Sequence, residues 1–277
     1  MSKMSDRLTD QVYWEDAHQG RKWGRYLPDP RKYRAHYELD RLFRTQLGKG
    51  GPKRLLELGA GSSIWLPYFA REFGFKPYGI DYSRKGCEVA EDNLRMAGVK
   101  GHMFCKDFFE MEDEWDGFFD VVVSFGVIEH FEDPSGVIKL MCRFLKDGGK
   151  IITVVPNTAG LVFGLQKCID PDVFRAHKLF PLSTLSGYHE KAGLKIQTSA
   201  YLQFLDLSML NFDSRFSGPV LSRFPVIHKL VLRAITGINM PLLYLQKLTG
   251  LSPQSRRWCS TMAVSAVKGG LPGQGKK

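Results

Sequence analysis

Cysteine is scarce and unpatterned in this 277-residue chain. The five present, Cys87, Cys105, Cys142, Cys168 and Cys259, are odd in number and include no Cys-x-x-Cys pair. A disulfide framework and a thiolate zinc site are therefore excluded, and the thiols suit a reducing compartment. Long apolar runs are lacking as well. The opening "MSKMSDRLTDQVYWED" has no apolar stretch of the kind found in a signal peptide. The most apolar late segment, "FPVIHKLVLRAITGINMPLLYL" (224–245), is broken by His228, Lys229, Arg233, Asn239 and a proline, which argues against a membrane span. The expected location is the cytoplasm. Acidic residues are outnumbered, 29 against 39 basic, for a net charge of +10. That balance favours anionic partners, and peripheral association with an anionic membrane is one expectation. No arginine-rich block or RNA-binding signature occurs, so nucleic acid is disfavoured as a partner.

What is present is an alternation of short apolar runs and helical periodicity. Residues 1–50 read as helical and aromatic-rich, ending at the breaker "GKGGP". From Arg54 the pattern changes to "RLLEL", then the helix-like "SSIWLPYFAREFG", the strand "KPYGID" and the helix "SRKGCEVAEDNLRMAG". Strands follow in "VKGHMFCKDFF" and "FFDVVVSFG", then a helix "DPSGVIKLMCRFLKDGG" stopped by Gly-Gly, and the strand "KIITVVPN". This order predicts an α/β, doubly wound, mostly parallel Rossmann-like sheet. The expected organisation is an N-terminal helical lid (1–50), a core (51–157), and the remainder of the sheet (158–267) carrying a helical insertion at about 206–257. The last ten residues, 268–277, are expected to be disordered.

In such a sheet ligands bind at the loops after the strands' carboxyl ends. Those loops are "GAGSS", "DYS", "KDFF" and "SFGVIEHF". Gly59 and Gly61 permit a sharp turn and leave no Cβ between the loop amides and a ligand. A dinucleotide fingerprint would place a third glycine at 64, which is Ile64, and Glu57 sets a carboxylate where a pyrophosphate would be repelled. Both departures disfavour a nicotinamide or flavin dinucleotide and suit a cationic sulfonium cofactor. Asp81 closes the second strand and can accept from two ribose hydroxyls. Asp107 can accept from an adenine amino group while Phe108 or Tyr82 packs on the ring. The plainer alternatives are that Asp81 and Asp107 cap the following helices, that the glycines only turn the chain, and that Tyr82 is core.

The segments "LLELGAGSS", "GIDYS", "KDFF", "FDVVVSFGVIEHF" and "LKDGGKIITVVPN", in this order over residues 53–157, resemble the class I S-adenosylmethionine-dependent methyltransferases. The chain is similar to the small-molecule type, such as the ubiquinone-pathway O-methyltransferases. The resemblance implies a seven-stranded sheet and S-adenosylmethionine as cofactor. It assigns Gly59, Ala60 and Gly61 to the methionine end, Asp81 to ribose, and Asp107 with Phe108 to adenine. Ser124 and Phe125 fall beside the methionine and the methyl group. In related enzymes an aromatic and basic N-terminal segment closes over the cofactor, which nominates Tyr13, Trp23 and Arg25.

For a hydroxyl acceptor a general base assists, and "VIEHF" offers His130 and Glu129. Two alternatives stand beside that role. The pair can merely fix the loop, or it can be the remnant of an E-x-x-E-H segment that binds a divalent metal in ubiquinone-pathway relatives. The first acid of that pattern is here Gly126, so no metal is assigned. Segment 158–180, including "FRAHKLF", and the apolar, basic insertion with Arg215, Arg223, Lys229 and Arg233 would face the acceptor. Their composition suits a small or lipid-linked acceptor, and a hydroxyl is the expected acceptor group ahead of nitrogen or carbon. The rival readings are a nicotinamide oxidoreductase, an RNA methyltransferase and a non-catalytic methyltransferase-like binding domain.

Overall fold

The structure, a computed structural model, describes residues 7–18, 27–48, 51, 53–207, 210 and 225–269. Seven strands form one sheet: β1 (Arg54–Leu58), β2 (Lys76–Asp81), β3 (His102–Cys105), β4 (Phe119–Phe125), β5 (Leu145–Pro156), β6 (Leu194–Phe204) and β7 (Cys259–Lys268). Their order is β3-β2-β1-β4-β5-β7-β6, and β7 alone runs antiparallel to its neighbours β5 and β6. The strand order reverses between β1 and β4, where Leu58 pairs with Ile80 on one side and Ser124 on the other. A doubly wound sheet opens its ligand crevice at that point.

The helices described are α1 (Gln11–His18), α2 (Arg34–Leu47), α3 (Trp65–Phe73), α4 (Arg84–Met96), α5 (Pro134–Phe144), α6 (Leu161–Ile169), α7 (Pro171–Arg175), α8 (Leu182–Lys191) and α9 (Pro225–Thr249). Alternate residues of each central strand enter opposite cores. Leu56, Val122 and Ile151 join Ile138, Met141 and Leu185 of α5 and α8 on one face. Leu55, Val121, Val123 and Ile152 meet Phe43 of α2 and Phe69 of α3 on the other. With both faces covered, β4 reads as a continuous apolar run and not as an alternation.

One element differs from expectation. Helix α5 ends at Phe144, short of the Gly-Gly, and Leu145–Gly149 belong to β5. Leu145 is fully buried and pairs with Phe119, and the register then shifts before Val121, with Gly148 taking a left-handed φ of 73°. Burial of Leu145 in the core outweighs continuation of the helix. Among the described residues the expected helical insertion carries the long helix α9, which contains Pro241. It is tied to α2 through Glu38, whose carboxylate accepts from Gln246 Nε2 (3.0 Å) and from the backbone N–H of Gln203 (2.7 Å). Among the described residues no helix is long and apolar enough to cross a membrane. Trp23 and Arg25, the side chains of Arg215, Arg223 and Lys229, and the tail beyond 269 lie outside what is described.

Candidate active site

The turn after β1 is built by close packing. The N–H groups of Gly59 and Ala60 both donate to the Ile80 carbonyl, at 2.9 and 3.0 Å, locking the turn to β2. Gly59 has φ 70°, and a Cβ there would lie 2.5 Å from Val127 Cγ2. A Cβ on Gly61 would lie 2.7 Å from His18 Nε2 and 2.8 Å from Asp81 Oδ2. Glycine is thus required at both positions by what surrounds the loop.

Glu57 is buried and is not among the residues that line the two cavities described below. Its Oε2 accepts from Ser63 Oγ at 2.7 Å, and that oxygen in turn accepts from the N–H groups of Trp65 and Leu66 at 3.1 Å each. Burial pushes the Glu57 carboxyl up to about 8. Its place in the molecule is to hold the turn against the start of α3.

Asp81 accepts from Gly61 N–H and Ser83 N–H, both at 2.8 Å. Burial raises its pKa to about 6 despite those two donors. The cap of α4 is Ser83, which accepts from Gly86 N–H at 3.0 Å, so Asp81 remains at the cavity wall with acceptor capacity left. Asp107 does cap the short turn Phe108–Glu110, accepting from Phe109 N–H at 3.0 Å. Both of its oxygens also lie 2.6 Å from one guanidinium nitrogen of Arg7.

The segment from Arg7 to His18 lies over the carboxyl edge of the sheet. Leu8 N–H donates to the His130 carbonyl (2.8 Å), and Gln11 Nε2 to that of Tyr82 (2.7 Å). The Glu15 carboxylate accepts from Arg84 and Lys85 N–H at the start of α4. Beneath it lies a cavity of about 240 Å³ lined by Gly59, Gly61, Asp81, Tyr82, Phe108 and Phe125, among others. A second cavity of about 200 Å³ adjoins it at Trp14, His18 and His130 and is walled by Tyr13, Phe163 and His177. Ser124 is wholly buried under this edge, and Phe125 stacks on Trp65 at 5.6 Å.

His130 stands at the junction, with His177 on the wall of the second cavity and the buried Glu129 beside them. His130 lies in the turn after β4, with its Nδ1 2.7 Å from the Ala176 carbonyl. His177 follows α7, with its Nδ1 2.7 Å from the Val173 carbonyl. A carbonyl can only accept, so each Nδ1 carries the proton and each Nε2 keeps its lone pair. The rings are 4.4 Å apart, and the edge of Trp14 meets His130 at 5.0 Å. Both pKa values are lowered by burial, that of His130 to about 3. Glu129 is fully buried, and neither carboxylate oxygen has a hydrogen-bond partner among the described residues. Burial pushes it up to about 8.

One donor atom from each of Glu129, His130 and His177 lies within 4.8 Å of the others. An orphaned buried carboxylate beside two neutral imidazoles, each tautomer fixed by a backbone carbonyl, is a donor set that fits a divalent cation. Gly126, at φ 64°, places its would-be Cβ 3.4 Å from Glu129 Oε1, so the glycine leaves open the space of the missing acid. His177 supplies a third donor that the spacing of "VIEHF" does not reveal. His18, without a distinguishable role in the sequence, meets Ser62 Oγ at 2.8 Å on the glycine turn.

The profile of the methyltransferase-domain family matches residues 30–199. The chain belongs to this family. It is a class I, S-adenosylmethionine-dependent methyltransferase. It is 28% identical over 164 residues to the ubiquinone biosynthesis O-methyltransferase of Pseudoalteromonas translucida, covering 56% of this chain and 69% of that protein. To the protein of the same name from Chromobacterium violaceum it is 30% identical over 166 residues, covering 60% and 64%. In fold it resembles the geranyl diphosphate C-methyltransferase of Streptomyces coelicolor, with TM-score 0.56 at 14% identity over 83% of this chain and 77% of that one.

Proposed function

We propose that this methyltransferase transfers the methyl group of S-adenosylmethionine to a hydroxyl on the ring of a small aromatic or lipid-linked acceptor, at the Glu129, His130 and His177 cluster. The observation that carries the reading is the buried carboxylate of Glu129, without a hydrogen-bond partner among the described residues, close to two imidazoles whose lone pairs remain available. The names of the relatives, which place O-methylation in ubiquinone biosynthesis, support the acceptor class. In this reading the glycine turn takes the methionine end, Asp81 the ribose, and Asp107 with Tyr82 and Phe108 the adenine.

Transfer is an in-line displacement: the acceptor oxygen forms a bond to the methyl carbon as the carbon–sulfur bond breaks, and the hydroxyl proton leaves. The protein's part is to align the two reactants and keep the site dry. Trp14, Phe163 and Val162 wall the second cavity, whose volume of about 200 Å³ suits a single substituted ring. A divalent cation held by Glu129, His130 and His177 would polarise the acceptor hydroxyl and lower its pKa. His130 at about 3 is a weak proton acceptor near neutrality, which suits a neutral ligand better than a general base. A second, metal-free reading rests on Glu129, whose pKa of about 8 suits a base working at neutral pH. Leu161 and Leu165 of α6 are about half exposed beside the wall residues Val162 and Phe163, which suits an acceptor with an apolar tail at a membrane surface.

The test is incubation with methyl-labelled S-adenosylmethionine and a solvent extract of cells, with and without a chelator. Label in a methyl ether of an aromatic, lost on chelation and restored by added cation, is the expected result. Label confined to nitrogen or carbon would overturn the oxygen assignment, and transfer indifferent to chelation would favour Glu129 as base.

A further inference from the structure

Asp107, the acid assigned to the adenine amino group, does not line the inner cavity. It is reached from an outer groove, and Arg7, Thr9 and Tyr82 line both spaces. The Arg7 side chain is largely buried at this partition. Its guanidinium carbon lies 4.6 Å from the centre of the Tyr82 ring and 5.7, 5.4 and 5.6 Å from those of Phe108, Phe109 and Phe131. A planar, delocalised group thus sits among aromatic rings and turns an N–H edge to the Asp107 carboxylate. Those are the features an adenine would present: a flat π face and an amino donor at one edge.

We propose that Arg7 occupies the adenine subsite of the cofactor-free enzyme, and that the cofactor's adenine displaces it. The inference rests on the assignment of Asp107 to adenine made above. Two further observations carry it. The inner cavity, about 240 Å³, is smaller than the 300–1,000 Å³ of ordinary ligand pockets. Among the described residues, the backbone around Arg7 meets the sheet edge through the isolated bridge to Phe131, which includes the Leu8 N–H to the His130 carbonyl. The stronger ties of the segment, from Gln11, Glu15 and His18, lie further along it. Lifting Arg7 therefore joins the outer groove to the inner cavity and removes the guanidinium from both oxygens of Asp107. Oδ1 keeps its bond from the Phe109 N–H, and the incoming adenine takes over the packing that Arg7 makes on Tyr82 and Phe108. The same movement releases a contact on the His130 backbone, so adenine binding is felt at the acceptor cluster.

The experiment is calorimetric titration of the full chain with S-adenosylhomocysteine. Arg7→Ala and Arg7→Gln should each bind about tenfold tighter than wild type, the scale of one charge-assisted hydrogen bond no longer competing. Arg7→Ala/Asp107→Ala should lose that gain. Hydrogen exchange at the Leu8 amide of the wild type should speed up on adding the ligand. If Arg7→Ala and Arg7→Gln bind equally or more weakly while the added Asp107→Ala weakens binding further, Asp107 holds adenine and the exchange is wrong. If Asp107→Ala has no effect in the Arg7→Ala background, the adenine assignment itself fails and the exchange falls with it.

Discussion

Glu57 to Gln is a substitution whose effect on stability has a definite sign and pH dependence. The Glu57 carboxyl is enclosed at the end of β1, and burial raises its pKa from 4.5 to about 8. The folded protein therefore holds a proton that the unfolded chain releases, and stability is greatest below about pH 4.5 and falls as the pH rises through 8. At about 1.4 kcal/mol per pH unit, the wild type has lost roughly 3 kcal/mol by pH 7 and under about 1 kcal/mol at pH 5. Glutamine keeps an acceptor for Ser63 Oγ and never ionises. Glu57→Gln should match the wild type near pH 4.5 and exceed it by about 6 °C in Tm at pH 7, with the gap still widening toward pH 8. Scanning calorimetry of the cofactor-free proteins from pH 4.5 to 8.5 measures this directly. A gap that does not change with pH, or a less stable variant at pH 8, refutes the reasoning.

Gly59→Ala forces a left-handed φ on a residue with a Cβ and drives that atom onto Val127; urea unfolding should show a loss of about 2–3 kcal/mol. Because Val127 lines the cavity proposed for the cofactor, calorimetry should also show weaker S-adenosylhomocysteine binding. In the proposed reading Asp81 accepts from the ribose hydroxyls as a carboxylate, and its pKa is raised to about 6. Cofactor affinity should be flat above pH 7 and fall as the pH drops through 6; Asp81→Asn should bind about tenfold more weakly and lose that break.

Much of this was legible in the sequence because it is local. The alternation of apolar runs with helical periodicity gave the parallel sheet, and "LELGAG" and "GID" mark the turn and the acid that meet where β1 and β2 end side by side. The end of α5 was not legible, because the burial of Leu145 against Phe119 overrides the Gly-Gly signal. The site's remaining members are separated from their partners by long stretches of chain. Arg7 meets Asp107 across 100 residues, and His130 donates to the carbonyl of Ala176, beside His177, across 46. No spacing rule connects such pairs. "FRAHKLF" pointed toward the acceptor side, but the role of His177 emerges only from its distance to Glu129 and His130.

The cluster itself is open to direct measurement. Chelator-stripped protein titrated with Zn²⁺ or Mn²⁺ in a calorimeter should bind one ion, and Glu129→Gln and His177→Ala should each weaken it by about tenfold or more while cofactor affinity is kept. Absence of ion binding by the wild type, or equal binding by the variants, would contradict the assignment of Glu129, His130 and His177 as a cation-binding centre and would leave Glu129 as the base.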